Sequence, residues 1–493
     1  MSELPEKVLV ANRGEIAVRV MRTLRALGIA SVAVYHREDA AGRAVREADE
    51  AVELFGDTPV GAYLDVAGIV AACHATGASA VHPGFGFLSE NAAFAEALAE
   101  AGITFIGPPP SAMRSMGDKI ESKRLAAAAG VPTLPGSPDA VADVEEAVAI
   151  ATEIGFPVLL KASAGGGGKG MRIANDAAEC REAFERASSE AAASFGDGRV
   201  FVERFIGRPR HVEVQVLADG HGTVLHLGER ECSIQRRYQK VIEESPSPAI
   251  DATTREAMGA TAVALARAVG YVSAGTVEMI LDEDGSFYFL EMNTRLQVEH
   301  PVTELVTGID IVAEQIRIAA GEPLAFGQDD VRMDGWAIEA RVYAEDADND
   351  FRPAIGRLGL VRFPAGEGIR VDHGVVEGQQ VSASFDPMIA KVAAHGATRA
   401  EAIARLRDAL RRTVLLGTVT NTAYLERVLA HPDFGAGETH TNFLAVHATE
   451  LEPVPADADV ERCLVAAAAL ASPRYDQRLA APEPLASMGS WRP

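Results

Sequence analysis

From Glu291 to His300 the chain alternates strictly: Glu291, Asn293, Arg295, Gln297 and Glu299 are charged or amide residues, and Met292, Thr294, Leu296 and Val298 lie between them. A period of two predicts an extended segment whose polar set shares one face. Just upstream, Thr276–Leu281 and Ser286–Glu291 read as strands around Asp282-Glu-Asp-Gly285, a hairpin signature. Pairing Leu281 with Ser286 puts Glu278 opposite Phe289 and diagonal to Glu291, about 7–8 Å away at the backbone; a bulge at Gly285 would shift that register. Two carboxylates so placed can converge on a divalent cation that also holds phosphate oxygens. An arginine on the same face can hold an anion, and a terminal carboxylate can take a proton. The plainer reading is a solvated strand with its polar face outward.

Elsewhere the period alternates between strand and helix. Val8–Val10, a turn at Asn12-Arg-Gly14, a helix from Glu15 through Leu27, then Val32–Tyr35 and Ala80–His82 predict a parallel, doubly wound, Rossmann-like domain over residues 1–118. It lacks the Gly-x-Gly-x-x-Gly pattern and carries Glu15 where a pyrophosphate would sit, which argues against a dinucleotide site. His82–Asn91 runs from a strand end through glycine turns into a helix capped by Ser89 or Asn91. A second unit spans 119–330, with a small inserted lid at about 131–206. Within it Phe156–Leu160 and Met171–Ile173 read as strands flanking the glycine loop Lys161–Gly170. No Ser or Thr follows the loop lysine and no helix follows the loop, so this is a flap rather than a Walker P-loop. Each of its consecutive glycines costs roughly 0.5–1 kcal/mol of extra ordering entropy, which predicts a loop mobile until phosphates order it. A third α/β unit spans 331–446, with a strand at Trp336–Tyr343 and a helix from Arg399 to Leu416 capped by Thr398. Residues 447–493 form an Ala/Pro-rich tail in which only Asp459–Ser472 reads as helical.

With 48% hydrophobic and 24% charged residues over 493 positions, the chain has the composition of a soluble multidomain protein. Its formal net charge of -24 argues against nucleic-acid or anionic-membrane partners, so any anionic ligand needs locally focused positive groups. No basic amino-terminal region precedes an apolar stretch, and no apolar run approaches the roughly 18 residues of a membrane span, which predicts a cytoplasmic location. Cys73, Cys180, Cys232 and Cys463 are isolated, as reduced structural thiols are, and none is a strong nucleophile candidate.

Taken together, Ala11–Ile16, His82–Asn91, Met116–Lys119, the glycine flap, His211-Val-Glu-Val-Gln215, Gln235-Arg-Arg-Tyr-Gln-Lys240 and Glu291–His300 closely resemble the biotin carboxylase family, in the family's order and over about residues 5–446. The resemblance implies an ATP-grasp fold: an amino-terminal α/β domain, a central nucleotide domain with a mobile lid, and a carboxy-terminal α/β domain. It implies ATP-dependent carboxylation of the ureido nitrogen of biotin by bicarbonate through carboxyphosphate, the first half-reaction of an acyl-CoA carboxylase. Phosphoryl transfer between two anions needs charge neutralisation and alignment above all.

By that resemblance Lys119, Lys161 and the flap amides of Gly167 and Gly168 hold ATP phosphates. Glu203, Arg204, Phe205 and Ile206 form the hinge at adenine, His211 lies near the ribose, and Gln235 and Tyr238 also face the nucleotide. Glu278, Glu291 and Asn293 hold magnesium or manganese. Lys240, Arg295, Gln297 and the Val298 backbone form the bicarbonate pocket, Glu299 is the general base, and Arg341 faces the developing enolate oxygen of biotin, a role Arg295 could share. Each residue also has a bland reading: Lys119 as a helix-start pair with Asp118, Glu203 as a solvated strand residue, Arg341 as a partner of Glu339 or Glu345. Only the ordered set resists those readings.

Two positions depart from the family pattern. Tyr238 stands where many members have histidine, which puts its nucleotide contact in question, and Phe85 replaces a common tyrosine, a local packing change. The family's biotin-accepting lysine lies in a Met-Lys dipeptide, and none of the 11 methionines is followed by lysine. This predicts that the biotin carrier lies on another chain or on a further part of this one, and Pro484–Pro493 faintly resembles a linker to such domains. A carboxyltransferase partner and a homodimer or larger complex are implied too. Two other classes remain: a different ATP-grasp ligase joining a carboxylate to an amine, and a non-catalytic nucleotide-binding subunit.

Overall fold

The computed structural model describes residues 4–137, 139–162, 171–195, 198–453 and 458–470. They fall into two units, 1–448 and 449–493.

Five parallel strands open the first unit, in the order Glu50–Glu53, Ala30–Tyr35, Lys7–Val10, Ala80–His82, Thr104–Phe105. Both faces are covered, as parallel sheets require. Val8 and Val10 pack against Ile16, Val20 and Leu24 of the helix Gly14–Ala26, while Leu9 joins Val34, Phe94 and Leu98 on the other side. Asn91 caps the helix Ala92–Glu100, its side chain accepting from Phe94 N.

The floor of the first unit is an eight-stranded antiparallel sheet: Phe287–Asn293, Ser273–Leu281, Arg210–Ala218, Val224–Arg236, Gln239–Ser245, Trp336–Tyr343, Met388–Gly396, Ile369–His373. It runs unbroken past residue 330, because Gln239–Ser245 pairs directly with Trp336–Tyr343. Along Arg210–Ala218, Val212, Val214 and Val216 pack with Met258, Ala262 and Leu265 of the helix Ala252–Ala268. The intervening His211, Glu213 and Gln215 therefore share the opposite face, yet all three are buried. A polar face turned inward in a central strand marks where a site lies.

A small sheet of Met171–Ala174, Val158–Ala162 and Val200–Arg204 forms the lid, with its own core of Val158, Leu160, Ala183, Ala187 and Val202. The strand before the glycine loop starts and ends two residues later than expected. The residues of that loop from 163 to 170 lie outside the described set. Arg399–Arg412 is helical and Thr398 caps it by accepting from Glu401 N. The helix does not continue to Leu416 as expected: Val414–Leu416 pairs with Leu360–Arg362, the β-branched Val414 going to a strand. In the second unit Ala458–Leu470 is helical. No helix among the described residues is long and apolar enough to cross a membrane.

Candidate active site

The hairpin register differs from the expected one. Leu281 pairs with Phe287 and Met279 with Phe289, but the ladder then shifts so that Glu278 stands directly opposite Glu291. Leu290 is the extra residue that makes this bulge, 37% exposed beside its buried neighbour Phe289. Directly opposed side chains lie about 4.5–5.5 Å apart at Cβ, so the two acids meet more closely than a diagonal pair. Burial and the neighbouring Glu278 charge together push the Glu291 carboxyl up from its ordinary range.

The expected extended run to His300 is also corrected: the strand ends at Asn293 and residues 294–299 form an irregular turn into the helix His300–Thr307. Their polar side chains converge nonetheless. Arg295 donates to Asn293 Oδ1 at 2.8 Å, to Gln297 Oε1 at 2.6 Å and to Glu90 Oε2 at 2.9 Å, and Gln297 Nε2 donates to Glu278 Oε1 at 3.0 Å. Val298 offers its carbonyl to Lys391 at 2.7 Å.

Lys240 is the hub of the charges. Its ammonium donates to Glu213 at 2.5 Å, Glu278 at 2.8 Å and Glu299 at 2.6 Å, one carboxylate for each N–H. The other Glu299 oxygen accepts from Arg341 Nη2 at 2.9 Å, and Arg341 Nε is held by Glu243 at 2.5 Å. Arg341 thus pairs with neither Glu339 nor Glu345. Burial alone would raise the Glu299 pKa, but Lys240, Arg341 and Arg230 outweigh it and hold Glu299 well below the usual carboxylate range. Glu278 is likewise held low against burial by Lys240 and by His211, whose Nε2 is 2.9 Å from Glu278 Oε2.

His211, Lys240, Glu278, Glu291, Asn293, Arg295, Gln297, Glu299 and Arg341 line one cavity of about 1130 Å³, with Glu213, Glu243 and Arg230 behind them. Toward the lid the same cavity takes in Lys161, Glu203, Arg204, Phe205, Ile206, Gln235 and Tyr238. Glu203 is no solvated strand residue: it is buried and pairs with both Lys161 and Lys123. Tyr238 is 62% exposed, in left-handed backbone (φ 67°) at the turn between two long strands. Lys119, first residue of the helix Lys119–Ala128, does not line the cavity, although its charge acts on Glu291. Gly167 and Gly168 lie outside the described residues. Phe85 lines the cavity 6.0 Å from the Lys391 ammonium.

Sequence reasoning missed several members of this network. Arg230, wholly buried, donates to Glu213, Gln215, Thr303 and Thr276 and braces the strand under Lys240. Glu213, Glu243, Glu90, Lys391 and Lys123 carried no assigned role. The signal for the first lay in the quoted His211-Val-Glu-Val-Gln215 alternation, whose polar face had no other destination. Cys232 Sγ lies 3.9 Å from Glu299, and burial pushes its thiol far above the ordinary range, so it stays neutral and is no nucleophile.

The donor set suits a hard divalent ion. Glu278 and Glu291 offer opposed carboxylates, Asn293 adds an amide oxygen, and its buried Nδ2 has no partner among the described residues. Glu291, whose proton affinity burial and the adjoining Glu278 charge raise, is a carboxylate that a cation shared by the two would relieve. His211, Glu213 and Glu278 also bring one ligand atom each within 4.8 Å of one another.

Family models match in three consecutive stretches: the biotin carboxylase N-terminal domain over residues 5–113, the carbamoyl-phosphate synthase L chain ATP-binding domain over 118–326, and the biotin carboxylase C-terminal domain over 339–446. The biotin carboxylase of Nostoc sp. is 49% identical over 89% of this chain and 98% of its own. The mitochondrial propionyl-CoA carboxylase alpha chain of Homo sapiens is 55% identical over 89% of this chain, which spans 61% of that longer protein. Among solved structures, the biotin carboxylase domain dimer of Hydrogenobacter thermophilus 2-oxoglutarate carboxylase, in complex with MgADP, ADP and bicarbonate, superposes with a TM-score of 0.87 at 47% identity, covering 92% of this chain and 100% of that one. With the ATP-grasp floor, the lid and the Lys240–Glu299–Arg341 cluster already in place, these matches settle the family: the chain belongs to the biotin carboxylases.

Proposed function

We propose that this chain carboxylates the ureido nitrogen of biotin, using ATP and bicarbonate, as the first half-reaction of an acyl-CoA carboxylase. The observation that carries the reading is the Glu299 carboxylate, buried and fixed between Lys240 and Arg341 in the same cavity as the opposed Glu278 and Glu291. Lys119, Lys161 and the Gly167–Gly168 amides bind ATP phosphates, Glu203 to Ile206 meet adenine, and His211, Gln235 and Tyr238 complete the nucleotide site. A magnesium or manganese ion held by Glu278, Glu291 and Asn293 would offset charge on the phosphate oxygens.

Bicarbonate sits against Lys240, Arg295, Gln297 and the Val298 backbone. It displaces part of the Lys240–carboxylate contact, and Glu299, losing some of its counter-charge, becomes more basic and accepts the bicarbonate proton. The bicarbonate oxygen attacks the γ-phosphorus and ADP leaves. The carboxyphosphate so formed breaks into carbon dioxide and phosphate, phosphate takes the proton of the biotin N–H, and the nitrogen adds to carbon dioxide. Arg341, kept charged by Glu243 and Glu299, stabilises the enolate oxygen that develops on biotin.

The biotin is carried by a separate protein or domain, and a carboxyltransferase subunit passes the carboxyl group to its acceptor. A homodimer or larger assembly and a cytoplasmic location complete the proposal. Phosphate release from ATP that needs both bicarbonate and free biotin tests it, and a folded, ATP-binding preparation without that dependence refutes it.

A further inference from the structure

We propose that Lys123 is a positioning residue for nucleotide binding: by holding Glu203 it leaves Lys161 free to transfer to the phosphates of ATP. The inference rests on the reading above that Lys161 is a phosphate ligand.

The Lys161 ammonium is paired with Glu203 Oε2. Both residues belong to the lid sheet, where Leu159 lies opposite Glu203 and Lys161 opposite Phe201. Lys123 comes from the helix Lys119–Ala128, outside that sheet, and its Nζ lies 3.0 Å from the other carboxylate oxygen, Oε1. Glu203 is only 7% exposed. One buried carboxylate therefore has two cations, one from the lid and one from the base. Burial would raise its pKa, yet Lys161 and Lys123 together hold it below the ordinary range.

A phosphate entering the cavity competes with Glu203 for Lys161. Were Lys161 the only partner, its transfer would strand a buried charge, and that cost would be subtracted from nucleotide affinity. With Lys123 on the second oxygen the carboxylate stays compensated. The same contact ties the lid strand to the base helix whichever way Lys161 turns. A salt bridge that only stabilised the fold would not separate ATP affinity from turnover.

The test is calorimetric titration of the full chain with MgATP, without bicarbonate or biotin, beside steady-state kinetics. Lys123→Met is expected to weaken ATP binding about tenfold while kcat at saturating ATP stays within about twofold, and Lys123→Arg to keep the original affinity. In a Glu203→Gln background, where no charge is left to strand, adding Lys123→Met is expected to change Kd by less than about twofold. Lys123→Gln serves in place of Lys123→Met if the latter does not fold. An unchanged Kd in the single variant, or a loss undiminished in the Glu203→Gln background, overturns the proposal. An unsubstituted chain that binds no ATP overturns the functional reading itself, whereas normal binding with an indifferent Lys123→Met overturns this inference alone.

Discussion

Glu278 stands directly across the hairpin from Glu291, with Leu290 bulged out of the ladder beside them. Glu278 is already paired with Lys240, whereas burial and the Glu278 charge raise the Glu291 carboxyl, so a cation shared by the two chiefly relieves Glu291. Glu291→Gln is expected to raise the magnesium concentration needed for half-maximal ATPase on the order of tenfold or more. Magnesium titration of the ATPase at saturating ATP checks this, and an unchanged requirement removes Glu291 from the metal site.

Glu299 is fixed by Lys240 and Arg341 and is ionised well below its ordinary range. Glu299→Gln is expected to lower kcat by roughly 10² to 10⁴-fold while MgATP affinity stays nearly unchanged. Because the folded pKa is depressed, Glu299 in the free enzyme stays charged throughout the neutral range, and no loss of kcat/KM for bicarbonate between about pH 8 and pH 6 should be traceable to its protonation. Turnover retained in the variant would assign the base elsewhere.

Arg230 has no exposure and braces Glu213 at 2.5 Å. Arg230→Met leaves Glu213 buried with Lys240 as its remaining cation, and the expected cost is about 3–5 kcal/mol. Urea unfolding with an unchanged slope reads it out. A loss below about 1 kcal/mol would mean that water or rearrangement replaces the arginine.

Glu15 lies buried near Lys391, 3.4 Å away, and burial pushes its carboxyl up to about 7. The folded pKa exceeds the unfolded one, so the folded state binds the proton more tightly. Its contribution is fully present below the unfolded pKa and is lost as pH rises through about 7. Relative to Glu15→Gln, the unsubstituted chain should therefore lose stability between about pH 5 and pH 8, by roughly 2–3 kcal/mol in all. Melting both proteins across that range checks the sign, and a difference that does not change with pH contradicts it.

Much of the site could be read from the residue pattern. The alternation around Glu291, Lys161 ahead of the glycine loop and the strand Trp336–Tyr343 lead to side chains that line one cavity. The hairpin register could not be read, because the Leu290 bulge has no compositional mark: a leucine sits as well in a regular strand as in a bulge. Nor could the turn at 294–299, whose alternation mimics a strand while Glu90 and Asn293 fold it back on Arg295. The buried arginine and acids behind Lys240 escaped for a third reason. Their partners are distant in sequence, as Arg230 and Thr303 or Arg341 and Glu243 show, and only the paired strands bring them together.

The unbroken sheet beneath the site has one further consequence. Lys240 and Arg341 ride on adjoining strands of a single stiff platform, Gln239–Ser245 and Trp336–Tyr343, so the gap between the lysine and the arginine that grip Glu299 is set by backbone hydrogen bonds and not by hinge motion. Cutting the chain between the nucleotide and carboxy-terminal halves would expose two raw sheet margins in the middle of the reaction chamber. The two cations that grip Glu299 are thus built into one piece of architecture.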